Sequence, residues 1–296
     1  MTQTTHTQAT PAQATPTQKT RATISPRAWL LAAFFGLLAL AFLLPAWGVL
    51  LTSFKTDAEI SVNGVWAPSG NVTVDNYLQL IMDDRVHRYL RNSFLVTIPA
   101  TVISVAMGSL AGYVFAKMRV PGASLWLMFI VSGLFIPPQI LLIPLFELFN
   151  LAGLYNTLWP MIIVHSAYGI SLCTLVMRNF FEKVPDELLE AALVDGASHP
   201  RILWSVALPL SRPALGALAT LQFTFIWNDF LYPLIFTRSE EAQTIMVGVL
   251  SLGGQYSTAF GAQAALSVIA SLPTLLVFFI FQKQFIQGLT AGAVKG

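Results

Sequence analysis

The sequence predicts an all-α membrane protein with six transmembrane helices, on two observations. First, the 296-residue chain is 55% hydrophobic and only 10% charged, whereas about a quarter of the residues of a soluble domain carry charge. Second, its apolar residues form runs of about 20 residues, the length at which a helix crosses a hydrocarbon core of roughly 30 Å. The six predicted spans are Ala28–Leu51, Asn92–Ala116, Ser124–Leu145, Thr157–Met177, Ala214–Phe236 and Ala264–Phe281.

The distribution of Lys and Arg predicts the orientation of these spans. An even number of spans puts both chain ends on one side, and basic residues of short loops collect on the cytoplasmic side. With both ends inside, 11 of the 16 basic residues lie in the cytoplasm. The five outside are Lys55, Arg85, Arg88, Arg91 and Arg238. Both termini and the loop over residues 181–210 are therefore predicted to be cytoplasmic.

The beginning of the chain has the composition of a disordered segment. MTQTTHTQATPAQATPTQKTRAT is rich in Thr, Gln, Ala and Pro and contains no acid, so residues 1–27 are predicted to form a disordered cytoplasmic tail and residues 28–296 the membrane domain. The apolar run that follows is longer than a signal peptide core of 7–15 residues and is expected to remain as an anchor. A net charge of +2 gives no reason to expect a nucleic-acid partner.

A polar insert, ELLEAALVDGASHPRILWSVALPL, interrupts the apolar pattern within residues 181–210. Pro185 suits the first turn of a helix, and the two acids after it lie at the positive end of the helix dipole. Gly196 suits the left-handed cap that ends this helix. Ser198 or His199 can then cap a second helix that runs to Leu208. Such a helix, glycine, helix element either covers the membrane surface or fills a groove in another protein.

Part of this insert, EAALVDGASHPRILWSVALPL, resembles the EAA loop of ATP-binding-cassette importer permeases. That pattern is Glu-Ala-Ala, three residues, Gly, nine residues, an aliphatic residue, one residue and Leu-Pro, and Val206 stands where Ile is commoner. PAWGVLLTSFK, NYLQL, RNSF, IPLFELFNLAGLYNT, RNFFEKVPDELLEAALVDGA, WNDFLYPL and FIQGLTAGAVKG are also similar to sugar-importer permeases of the maltose type. The resemblance covers most of residues 40–296 and implies a type I importer permease fold.

The resemblance implies that the insert is a cytoplasmic coupling loop that docks into a cleft of a separate ATPase subunit. The residues expected to carry this coupling are Glu190, Ala191, Ala192, Asp195, Gly196, Leu208 and Pro209. It also implies a second homologous permease, an ATPase dimer and an extracytoplasmic solute-binding protein at a bacterial inner membrane. The sequence has no G-x-x-x-x-G-K-[ST] loop, so ATP and Mg are expected in the partner, and this chain is expected to hold no catalytic, cofactor or metal site.

A polar group in the fifth span is the candidate solute path, made by Trp227, Asn228, Asp229 and Tyr232. A charge near the bilayer centre costs roughly 2.5–3.5 kcal/mol, so Asp229 needs a cavity or a partner. These side chains could offer hydrogen bonds and an aromatic face to a hydroxyl-rich solute, or Asn228 and Asp229 could bond to another helix. His165, Tyr168 and Gln139 are weaker candidates, and the neighbouring prolines of the third span predict kinks.

The expected function is translocation of a sugar or a sugar derivative, driven by ATP that partner subunits hydrolyse. Glycerol-phosphate or another polyol-like solute is an alternative cargo. A self-sufficient secondary transporter is an alternative class, which would need ion-coordinating groups such as Asp229 with His165. A small-residue face in the second span predicts close helix packing. Its members are Ser104, Gly108, Gly112 and Ala116.

Overall fold

A computed structural model of the chain describes residues 26–252 and 259–293, with side chains over residues 27–252 and 259–287. These residues form α-helices and short helical turns. The predicted tail lies outside them up to residue 25, and α1 begins at Pro26. The helices are α1 (Pro26–Ser53), α2 (Asp57–Asn63), α3 (Asp75–Met82), α4 (Asp84–Lys117), α5 (Ala123–Ser132), α6 (Leu142–Leu151), α7 (Trp159–Phe181), α8 (Asp186–Val194), α9 (His199–Ile202), α10 (Leu208–Leu210), α11 (Arg212–Trp227), α12 (Leu231–Phe236), α13 (Ile245–Leu252) and α14 (Phe260–Ala293).

The described residues contain four helices long and apolar enough to cross a membrane, or six spans if two bent pairs each count as one. The four are α1, α4, α7 and α14. The first bent pair joins Ala123–Phe135 to Pro138–Leu151 at 91°, and the second joins His199–Leu210 to Arg212–Trp227 at 81°. The all-α membrane fold predicted from the sequence is therefore confirmed.

Two predicted spans are not the continuous helices that the apolar runs indicated. The third, Ser124–Leu145, bends at Pro137 and Pro138, because neither proline can donate a backbone hydrogen bond. The fifth, Ala214–Phe236, ends as α11 at Trp227 and resumes as α12 at Leu231. The bend of the third span confirms the kink that its prolines predict, whereas the interruption of the fifth span was not predicted.

Residues Met1–Ala46 and Trp47–Gly296 form two separate units. In the described part of the first unit, the side chains of α1 are exposed on every face, including Leu37 and Phe42. A helix that is hydrophobic all round lies in lipid or against another membrane helix. This property fits the predicted membrane anchor.

The core of the second unit is the close contact between α4 and α7. Ser104 and Gly108 are buried, and Gly112 faces the backbone of Arg178 so closely that an added Cβ would lie 2.7 Å from its amide nitrogen. Small residues allow the two backbones to approach, as the small-residue face predicts. Helices α11 and α14 pack beside this pair, where Trp227 and Leu266 belong to one buried apolar cluster.

The RNSF motif fastens the loop after α12 to α4. Asn92 donates from Nδ2 to the carbonyl oxygens of Glu241 at 2.7 Å and Gln243 at 2.9 Å. The next residue, Ser93, accepts at Oγ from the backbone N–H of Ile245 at 2.9 Å. Both side chains are buried, so these bonds fix the loop that leads into α13.

Lys55, one of the five basic residues predicted to lie outside the cytoplasm, is a buried cation. Its side chain is fully buried, and Nζ donates to the carbonyl oxygens of Gly64 at 3.2 Å, Val65 at 2.9 Å and Ala67 at 2.5 Å. Hydrogen bonds are what make a buried polar group tolerable. Lys55 therefore orders the loop that follows α2.

Candidate functional site

The first short helix of the polar insert, α8, is attached to the membrane helices at its beginning. Lys117, the last residue of α4, donates from Nζ to the carbonyl oxygen of Val184 and to Oδ1 of Asp186, both at 2.6 Å. The Lys117 side chain is only 7% exposed. Leu189 adds a buried apolar contact one turn later. These interactions hold α8 against the ends of α4 and α7.

The elbow after α8 has the geometry that the sequence predicts for Gly196, whose φ is +81°. The backbone N–H of Gly196 donates to the carbonyl oxygen of Leu193 at 3.0 Å. The backbone N–H of Ala197 donates to the carbonyl oxygen of Ala192, also at 3.0 Å. These two bonds form a Schellman motif, which satisfies carbonyls at a helix end and requires a left-handed residue. The elbow is thus a defined turn whose angle depends on Gly196.

The second part of the insert is one helical run from His199 to Leu210 with an unpredicted π-turn over Leu203–Ala207. It begins at His199, so that Ser198, one of the two predicted capping residues, stands at the N-cap. Pro209 explains the wider turn, because its ring would crowd the carbonyl four residues earlier, at Ser205, in a regular α-helix. Ile202, Leu203 and Ala207 are buried in the same apolar cluster as Leu189.

The outward face of α8 combines acids with exposed apolar side chains. Glu190 and Ala191 are exposed, Leu188 is 48% exposed and Val194 is 87% exposed. Ala192 instead packs partly buried against the core. Leu208 and Pro209, the other coupling candidates, lie at the far end of the insert, half-buried and exposed. The insert thus has a fixed inner face and a free outer face.

Asp229 occupies the break between α11 and α12, where it caps the second helix. Its Oδ1 accepts from the backbone N–H of Leu231 at 3.1 Å, and its Oδ2 accepts from that of Tyr232 at 3.2 Å. Nε2 of His165, on α7, lies 3.2 Å from the same Oδ2. The carboxylate is only 16% exposed. Of the two interpretations of this acid, the structure shows the interhelical bond directly.

The other three candidates for the solute path differ in exposure. Trp227 is 1% exposed, and its Nε1 donates to the carbonyl oxygen of Ala270 at 2.8 Å. Tyr232 is also buried, with its ring stacked on Phe236. Asn228 is exposed and donates to the carbonyl oxygen of Thr224 at 2.8 Å. Asn228 is the most exposed of the four candidates.

These features define a membrane transport subunit: helical spans, two of them broken, and a free helix, glycine, helix element at one end. Residues 104–290 match the family described as "binding-protein-dependent transport system inner membrane component", and the chain belongs to this family. The matched region includes the whole polar insert and the breaks in the third and fifth spans. This family is one of transport-system membrane components and is not a known family of enzymes.

Relatives of known description agree with this membership. The chain is 32% identical to the sulfoquinovosyl glycerol transport system permease protein of Agrobacterium fabrum, over 86% of this chain and 89% of the relative. It is 33% identical to the trehalose/maltose transport system permease protein of Thermococcus litoralis, over 88% and 94%. A crystal structure of a bacterial ABC transporter that imports the acidic polysaccharide alginate matches in fold, with a TM-score of 0.75 and 23% identity over 89% of this chain and 99% of that one.

Proposed function

We propose that this chain is one of two paired permease subunits that carry a sugar or a sugar derivative across the inner membrane, powered by ATP hydrolysis in partner subunits. The observation that carries the proposal is the polar insert, whose inner face is anchored and whose outer face is free. Leu189 and Lys117 fix it to the membrane helices. The exposed Leu188 and Val194 beside Glu190 supply the apolar and acidic contacts of a docking helix.

This geometry and the family support three kinds of partner. An ATPase dimer that binds ATP and Mg docks on the insert, and an extracytoplasmic binding protein delivers solute at the opposite face. A second, homologous permease completes the route between the two subunits. Docking on the insert requires that the loop over residues 181–210 and both chain ends lie in the cytoplasm, as the basic residues predict.

The cargo is proposed to be a sugar because the two relatives described above are named for sugar-containing solutes. The route is proposed to pass the break after α11, where Asn228 is exposed and Asp229 is 16% exposed. Both side chains can bond to hydroxyl groups. Trp227 and Tyr232 contribute to this route by supporting the break from the core side.

The test is reconstitution of the chain with its ATPase, second permease and solute-binding protein. We expect the ATPase to co-purify, and proteoliposomes to take up a labelled sugar only with ATP inside and binding protein outside. Labelled glycerol-phosphate serves as the comparison cargo. Uptake that needs neither ATP nor the binding protein would instead identify a self-sufficient secondary transporter.

The topology gives a separate prediction. In a Cys173→Ser background, Ser198→Cys should be protected from an impermeant thiol reagent in intact cells, whereas Glu240→Cys should be labelled. Both positions are exposed on the protein, so the difference reports the side of the membrane. Labelling of position 198 from outside would contradict the cytoplasmic placement of the polar insert and with it the docking of an ATPase there.

A further inference from the structure

The break in the third span is bonded to α7 through Tyr168. Pro137 and Pro138 have no backbone N–H, and the bend at this point leaves the carbonyl of Ile136 outside a helical hydrogen-bond ladder. The hydroxyl of Tyr168 donates to the oxygen of Ile136 at 3.3 Å. Inside a membrane, a freed carbonyl needs such a donor because water is scarce.

The break in the fifth span is bonded to the same helix. Asp229 caps α12 with both carboxylate oxygens, and His165 bonds to Oδ2 at 3.2 Å. The His165 ring also meets the Tyr232 ring edge-on, at 5.3 Å between centroids. His165 and Tyr168 are three residues apart, so they share one face of α7. One helix face therefore contacts both breaks.

The opposite end of α7 leads directly into the polar insert. The helix is 23 residues long, which corresponds to roughly 34 Å at 1.5 Å per residue. Four residues separate its end at Phe181 from the start of α8, and the backbone N–H of Val184 bonds back to Phe181 at 3.0 Å. A displacement of α8 is thus transmitted to α7 through a short, hydrogen-bonded connection.

We infer that His165 and Tyr168 are positioning residues that fasten both broken spans to α7, so that movement of the polar insert reaches both breaks together. This inference rests on the proposed function, in which the insert receives the ATPase. One bond joins His165 to Asp229 and the other joins Tyr168 to Ile136. With both in place, α7 moves as a rigid element and the chain bends at the two breaks. Neither residue needs to touch solute for this role.

The test combines transport with a distance measurement in the complete reconstituted complex. His165→Ala and Tyr168→Phe should each lower sugar uptake per ATP hydrolysed, by up to roughly tenfold, the upper scale of one net hydrogen bond. His165→Gln keeps an amide donor for Asp229 and should restore most of the uptake. Ser166→Ala is the matched control, because Ser166 is buried on the same helix and its Oγ has no hydrogen-bond partner among the described residues.

Spin-label pairs then separate positioning from solute contact. In a Cys173→Ser background, labels at Ile163 and Leu234 report α7 against α12, and labels at Ile163 and Phe135 report α7 against the third-span break. All three sites are exposed. His165→Ala should broaden the first distance distribution, and Tyr168→Phe should broaden the second.

The inference would be overturned if His165→Ala and Tyr168→Phe left both distance distributions and the uptake per ATP unchanged. It would also be overturned if Ser166→Ala lost as much uptake per ATP as these two variants. If His165→Ala does not assemble, Tyr168→Phe and His165→Gln decide by the same two readouts. If the unsubstituted complex takes up no sugar, the proposed function fails while the label distances still test the attachment of both breaks to α7.

Discussion

Replacing Gly196 with valine should leave the chain inserted in the membrane and remove most of the coupled uptake. Gly196 has a φ of +81°, and a residue with a Cβ pays roughly 1–2 kcal/mol to adopt a left-handed conformation. An added Cβ would meet no atom within 4 Å, so the cost arises from the backbone alone. A penalty of this size lowers the population of the native elbow by roughly 5–30-fold relative to conformations in which residue 196 is not left-handed.

The expected order of damage at this position follows from backbone preference. Valine should be worst because it is β-branched, alanine milder, and asparagine mildest because its short polar side chain is tolerated in the left-handed region. The measurements are co-purification of the ATPase, binding-protein-stimulated hydrolysis and sugar uptake. Loss of uptake with retained hydrolysis would locate the defect in coupling.

Gly153→Val is the matched control for this series. Gly153 also has a positive φ, +68°, and open space around its Cα, but it lies in the loop between α6 and α7 instead of the polar insert. A similar loss of uptake in both variants would show a general sensitivity to strained turns. Normal values of all three measurements in Gly196→Val would mean that the insert only covers the membrane surface.

The elbow was predictable from sequence because a helix cap is a local structure. The stretch from Glu190 to Gly196 includes the end of α8. The two Schellman hydrogen bonds also form within six consecutive residues. The π-turn was not predicted, although Pro209 is a signal for it in the sequence. The bend of the third span had a signal in Pro137 and Pro138, whose consequence, a kink, was predicted without its size of 91°.

Contacts between distant residues could not be predicted in the same way. His165 and Asp229 are 64 positions apart, and only the packing of α7 against the broken fifth span brings them together. The burial of Trp227 has the same origin, since its partners Phe94 and Ala270 come from α4 and α14. No sequence pattern predicts the burial of Lys55, because its hydrogen-bond acceptors are backbone carbonyl oxygens of a loop.

Gly108→Ala should strongly destabilise the protein, because the added methyl group would meet the backbone of α7. The new Cβ would overlap the Cβ of Cys173 and lie 2.9 Å from both the Cys173 carbonyl carbon and the Thr174 nitrogen. These atoms belong to the backbone of α7 or are rigidly attached to it, so no rotamer change relieves the contact. Overpacking of this kind costs about 1–3 kcal/mol or more, and we expect a lower Tm and a lower yield of folded protein from detergent.

Gly36→Ala is the control with the opposite expected sign. Gly36 lies in α1, an added Cβ there meets no atom within 4 Å, and alanine is favoured over glycine inside a helix by roughly 0.5–1 kcal/mol. Its Tm should therefore stay equal or rise. Adding Cys173→Gly to Gly108→Ala removes the overlapping Cβ and should recover part of the lost stability. An unchanged Tm in Gly108→Ala would contradict the close α4–α7 contact, and with it the rigidity of α7 on which transmission from the polar insert to both span breaks depends.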